Sequence, residues 1–151
     1  MKLAIATAID RAYLVPLLVM LRSLCDHLSP RYHPTLFLSA TGLAPFELDQ
    51  LNAILEVKPV RAELPNLPLR PPYTPQACFP LLLPSLFPEQ SRILFVDADM
   101  LFLEDVSQIW EVELGGRALA AVADMAIPTV ASPRGIYAPE KFGIPPSRPY
   151  F

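Results

Sequence analysis

Ile93-Leu94-Phe95-Val96-Asp97-Ala98-Asp99-Met100-Leu101 is an apolar run that leads straight into two carboxylates separated by one small residue. With Arg92 in front of it, the stretch to Val96 reads as the strongest strand of the chain, apolar throughout as in strands buried on both faces of a parallel sheet. In an extended backbone residues i and i+2 project to the same side, so Asp97 and Asp99 face one hard cation or one polar ligand. Open α/β sheets place their ligands in the crevice beyond the carboxyl ends of the strands, where these two acids emerge. A Mg²⁺ or Mn²⁺ held by one or two carboxylates keeps positions open for phosphate oxygens and offsets the charge of a diphosphate. The competing reading is a solvated turn, since Asp is an ordinary turn former. Apolar residues on both sides, Ile93–Val96 and Met100–Leu103, favour a site over an exposed turn.

Working outward, Lys2–Ala8 is a near-continuous apolar run expected to form a first strand, followed by a helix over Tyr13–His27. Pro16 is tolerable in a first helical turn, and Leu17, Leu18, Leu21 and Leu24 recur at helical spacing. Thr35–Ser39 reads as a second strand, Phe46–Leu55 as a second helix with apolar Leu48, Leu51 and Leu55, and Val57–Val60 as a third strand. This alternation argues for an α/β layered sheet with mostly parallel strands. Nine of the 19 prolines lie from Pro59 to Pro88, which predicts an irregular connector with one short helical stretch at Gln76–Leu83. Beyond the two carboxylates come a helical turn at Val106–Trp110, an expected buried strand at Ala118–Val122, and a second proline-rich irregular stretch from Ile127 to Pro149. The chain contains no internal repeat.

Its 151 residues suit one domain, and with 52% hydrophobic and 18% charged residues the chain can bury a sizeable core. A formal net charge of -3 offers no basic stripe for a phosphate backbone, so no nucleic-acid partner is expected. Cys25 and Cys78 follow no metal-ligand spacing and read as reduced core residues. The apolar stretch Ala12–Leu21 is too short to cross a bilayer, and Asp10 and Arg11 interrupt Met1–Ile9 before it could serve as a secretory core. No transmembrane segment and a cytoplasmic location are the expectation.

Ile93–Leu101 resembles the aspartate-any-aspartate segment of the retaining, nucleotide-sugar-dependent glycosyltransferases of family 8. The match extends along the chain. Leu83–Arg92 resembles the family's "IPELLP" approach to that strand, Val106–Trp110 its "hxxLW" turn, and Pro149-Tyr150-Phe151 the start of its "YFN" block. Ile5–Leu24 resembles the family's first strand and helix, with Ala8-Ile9-Asp10-Arg11-Ala12-Tyr13 as the segment that cradles the uracil. The resemblance implies a GT-A type fold: a Rossmann-like nucleotide-binding sheet with helices on both faces, C-terminally incomplete. Residues 1–151 would then be the N-terminal nucleotide-sugar-binding part of one glycosyltransferase domain. It also implies a UDP-sugar donor, a glycan or lipid-linked acceptor, and Mn²⁺ (or Mg²⁺) as metal. By the same resemblance Asp97 and Asp99 meet the metal and the ribose or diphosphate, Tyr13 stacks on uracil, Ala8 and Asp10 contact the base, and Asp124 lies near the sugar or acceptor.

Each of these residues has a plainer role to weigh. Tyr13 is as well suited to packing on the sheet, Asp10 to capping the first helix, and Asp124 to a turn; His27 and His33 have no ligand spacing to another His, Cys or acid. Two other function classes compete. A haloacid-dehalogenase-like phosphatase also runs an apolar strand into two spaced aspartates, the first a nucleophile. It needs a small or β-branched residue where Leu101 stands, and a later Lys, for which only Lys141 is present. A nucleotide- or partner-binding remnant without chemistry follows from the family's third metal ligand, a late histidine, having no counterpart here.

Overall fold

The computed structural model describes residues 1–63 and 74–150. They form two compact units, Met1–Val112 and Glu113–Phe151. The first holds four parallel strands: β1 (Lys2–Asp10), β2 (His33–Thr41), β3 (Glu56–Pro59) and β4 (Leu94–Phe95), in the order β3-β2-β1-β4. β1 pairs with β2 along its whole length, from Lys2 opposite His33 to Asp10 opposite Thr41, and with β4 at Ile5–Leu94 and Ala6–Phe95. The carboxyl ends of all four strands therefore lie on one edge of the sheet.

Helices α1 (Leu14–His27) and α2 (Pro45–Asn52) make the crossovers from β1 to β2 and from β2 to β3. A short 3-10 turn, Arg11–Tyr13, links β1 to α1, so Tyr13 precedes the helix and Pro16 falls in its first turn, where its missing N–H leaves no bond unmade. One face of the sheet, Leu3, Ile5 and Ile9 of β1 with Leu36, Leu38 and Val57, packs against Leu17, Met20, Leu21 and Leu24 of α1 and Leu51 of α2. On the opposite face β1 contributes only small residues. Ala6 and Ala8 leave room for Phe79, fully buried, and for Leu83, from a 3-10 segment (Pro75–Leu82) that runs into the one-turn helix α3 (Leu83–Leu86). Phe37 and Phe87 meet edge to face on this side, centroids 4.7 Å apart. The expected layering, helices on both faces of a parallel sheet, is thus present, and the short helical stretch expected at Gln76–Leu83 forms; the expected connector's central part, residues 64–73, lies outside the described residues.

Two expectations need correction. The strand expected over Arg92–Val96 is regular only at Leu94–Phe95: β1 pairs with it on one side, no further strand pairs with it on the other among the described residues, and the chain turns at Ala98–Asp99. The buried strand expected at Ala118–Val122 does not form; the segment is exposed, because five apolar residues make a strand only beside a neighbour whose backbone completes their hydrogen bonds, and the described residues supply none. The second unit is irregular apart from a 3-10 turn at Pro139–Phe142, as its prolines predict. α4 (Ser107–Trp110) matches the expected helical turn. Both cysteines are free, Cys78 buried and Cys25 half-buried.

Candidate functional site

In a parallel sheet the carboxyl ends of the strands define one rim, and the candidate residues of the first unit collect there. Asp10 ends β1 opposite Thr41, which ends β2. The Val96 N–H donates to the Ala6 carbonyl at 3.1 Å, so the β1–β4 ladder runs one residue beyond β4. Continued once more, this register sets Asp97 level with Ala8. Val96 and Ala98 are buried against the α1 face while Asp97 and Asp99 are exposed, so the i, i+2 alternation persists into the turn and both carboxylates leave the sheet on the side away from α1.

Partial loss of solvent around its carboxyl at the rim, and then the charge of Asp99, push the Asp97 pKa above its ordinary value. Two close carboxylates with no cation between them repel, and their hard oxygens are the donor type that Mg²⁺ and Mn²⁺ prefer. The pair therefore fits part of a divalent shell. Among the described residues no group of three or more His, Cys, Asp or Glu is assembled that could hold a metal.

Asp10 does what a cap does: its Oδ1 accepts the Ala12 N–H at 2.9 Å, which fixes the 3-10 turn after β1. Tyr13, at the end of that turn, is 45% exposed, so it is not a core residue and its ring is open to a ligand. Asp124 lies in the second unit, where its Oδ1 accepts the N–H groups of Ala126 at 2.7 Å and Ile127 at 3.1 Å, an ordinary turn role. His27 bonds through Nδ1 to the Ser23 carbonyl at the end of α1, and His33 starts β2, at the opposite edge from the carboxylates.

Three supports of the rim were not singled out from the sequence. Arg11 reaches Glu47, which is 5% exposed and at the same time accepts the Ala44 N–H at 2.7 Å, so the turn bearing Asp10 and Tyr13 is tied to the start of α2. Gln76 donates to Thr41 Oγ1 at 3.2 Å and closes the far side of the rim. Ser23, buried in α1, accepts the Phe102 N–H at 3.0 Å, just after the carboxylates. The bond of Glu47 to Arg11 and that of Ser23 to Phe102 are weak signals in a sequence, because those partners are 36 and 79 residues away, whereas the Glu47 bond to the Ala44 N–H is local.

The model of the family described as glycosyl transferase family 8 matches residues 4–143. The galactosyltransferase LgtC, solved in complex with donor and acceptor sugar analogs, superposes with a TM-score of 0.74 at 20% identity, over 100% of this chain and 55% of that one. An active-site mutant of LgtC gives the same TM-score and identity, over 100% and 54%. The apo structure of the bifunctional glycosyltransferase WbbM aligns with a TM-score of 0.69 at 15% identity, over 86% of this chain and 24% of that one. These likenesses establish the GT-A type of the fold, and the chain spans about half the length of the LgtC chains. No curated protein matches the sequence.

Proposed function

Since the chain belongs to glycosyl transferase family 8, we propose that it supplies the donor-binding part of a hexosyltransferase that takes a UDP-sugar and transfers the sugar, with retention, to a glycan or lipid-linked acceptor. The observation that carries this reading is the pair Asp97 and Asp99, both exposed at the carboxyl rim of a parallel sheet with Ala98 buried between them. In this reading Asp97 and Asp99 would hold Mn²⁺ (or Mg²⁺), which when bound would supply positive charge against the diphosphate of UDP. The exposed Tyr13 ring stacks on uracil, while Ala8, small and level with Asp97, and the end of β1 at Asp10 form the floor for the base. A role of Asp124 toward the sugar or acceptor belongs to the same proposal and rests on the sequence resemblance. So does a cytoplasmic location; among the described residues no helix is long and apolar enough to cross a membrane.

A second reading, a binding module without transfer, is favoured by the lack of a third metal-ligating side chain among the described residues. The two readings separate on sugar transfer from UDP-glucose or UDP-galactose, and share nucleotide binding. Calorimetry of UDP with and without Mn²⁺ tests the shared part: affinity is expected to depend on Mn²⁺, to be lost in Asp99→Asn, and to fall by about 1–3 kcal/mol in Tyr13→Ala, the range for base–aromatic stacking. Equal UDP affinity with and without the metal overturns the assignment.

A further inference from the structure

Ser23 sits on the buried face of α1, 8% exposed, where every other buried residue of the helix is apolar. Its hydroxyl is used twice. It donates to the Met20 carbonyl one turn back, at 2.8 Å, and accepts the N–H of Phe102 at 3.0 Å. The first bond orients the hydroxyl lone pairs outward from the helix, and the second spends one of them on the backbone three residues beyond Asp99. Without that acceptor the Phe102 N–H would be a buried donor lacking its partner, a cost that the chain would relieve by moving the segment.

The segment that carries the two carboxylates has few other restraints. β4 is two residues long, the chain turns at Ala98–Asp99, and Met100 and Leu101 are exposed. Among the described residues, what holds the stretch beyond the Val96–Ala6 backbone bond is the α1 side: the side chains of Val96, Ala98 and Phe102 in the core and the Ser23–Phe102 bond. Apolar packing tolerates small slides along the helix, whereas a hydrogen bond fixes one backbone atom in direction and distance.

We propose that Ser23 is a positioning residue for the metal site, setting through the Phe102 backbone the place at which Asp99 stands beside Asp97. This rests on the reading of Asp97 and Asp99 as metal ligands. Outer partners bonded directly to a ligand are worth about 10- to 100-fold in metal affinity when removed, and Ser23, acting one step further out through the Phe102 backbone, belongs at the low end of that range.

The test uses the full chain and Mn²⁺ titrated calorimetrically in the presence of UDP. Ser23→Ala is expected to weaken Mn²⁺ about tenfold, and Ser23→Thr, which keeps the hydroxyl, to restore affinity. Val57→Ala, a core truncation on β3 at the other end of the sheet, is the control for plain destabilisation: it is expected to lower Tm at least as much and leave Mn²⁺ affinity unchanged. Ser23→Cys, of similar volume but with a weak acceptor, takes the place of Ser23→Ala if that variant does not fold. A folded Ser23→Ala or Ser23→Cys with wild-type Mn²⁺ affinity, or an equal loss in Val57→Ala, overturns the positioning role while leaving the metal reading intact. A wild-type chain that binds no Mn²⁺ overturns both.

Discussion

Phe79 is the keystone of the second layer, and Phe79→Ala should show how firmly that layer is held. The ring is fully buried against Ala6 and Leu83 with Phe95 at a centroid distance of 6.5 Å. Truncating a buried Phe costs about 3–5 kcal/mol, the lost transfer energy plus the cavity left behind. The upper half of that range applies here. Ala6 and Phe95 stand on hydrogen-bonded strands, and neither can move into the space without breaking the ladder between them. Against a total stability of about 5–15 kcal/mol the loss is large. At about 2–4 °C per kcal/mol for a chain of this size, it corresponds to roughly 8–20 °C in Tm. Phe79→Leu, which retains most of the apolar volume, should cost less than about 1.5 kcal/mol. Urea unfolding followed by Trp110, the only tryptophan, and by circular dichroism reads both variants. Because Trp110 packs against the other core, coincident transitions would report one cooperative unit. A loss below about 1 kcal/mol in Phe79→Ala with an unchanged denaturant slope would refute the reasoning, since the second layer would then not be sealed around this ring.

Asp97→Asn should stabilise the metal-free chain at pH 7. The raised native pKa makes the folded state hold its proton where the unfolded one has released it, so stability falls as pH climbs from the ordinary value near 3.8 through the raised one, and Asn removes that penalty. Scanning calorimetry should find the Tm gain at pH 7 and none below pH 3.8; a Tm loss at pH 7 would contradict the desolvation and the repulsion by Asp99 that raise this pKa. Glu47→Ala should cost about 1–3 kcal/mol, because it leaves the Ala44 N–H and Arg11 without their acceptor, with Glu47→Gln losing less. Equal losses for the two variants in urea titrations would contradict that ranking and show that the charged carboxylate with both its acceptor oxygens is required, since Gln keeps the size of the side chain and one acceptor.

Much of the first unit was legible because its signals are local. The apolar run of β1 and the helical spacing of α1 each act over a few residues, and the observed elements follow them within one to three positions. Asp97 and Asp99 were legible for the same reason: strand periodicity puts i and i+2 on one side whatever the rest of the fold does. Ala118–Val122 shows the limit of such reasoning. Its composition is that of a strand, but a strand is a relation between two segments, and hydrophobicity says nothing of whether a partner is present.

Local patterning was enough for the parallel α/β class, for the order of elements in the first unit, and for the projection of two carboxylates from the end of an apolar strand. Only the tertiary structure decided which small residues of β1 admit Phe79, that Tyr13 stays exposed rather than packed, and that Ser23 and Glu47 serve as buried acceptors for segments far along the chain. The physical reason is the range of the interactions. Dihedral preference and periodicity are written into neighbouring residues, whereas burial and hydrogen-bond satisfaction depend on groups 36 and 79 positions away that only the folded chain brings together.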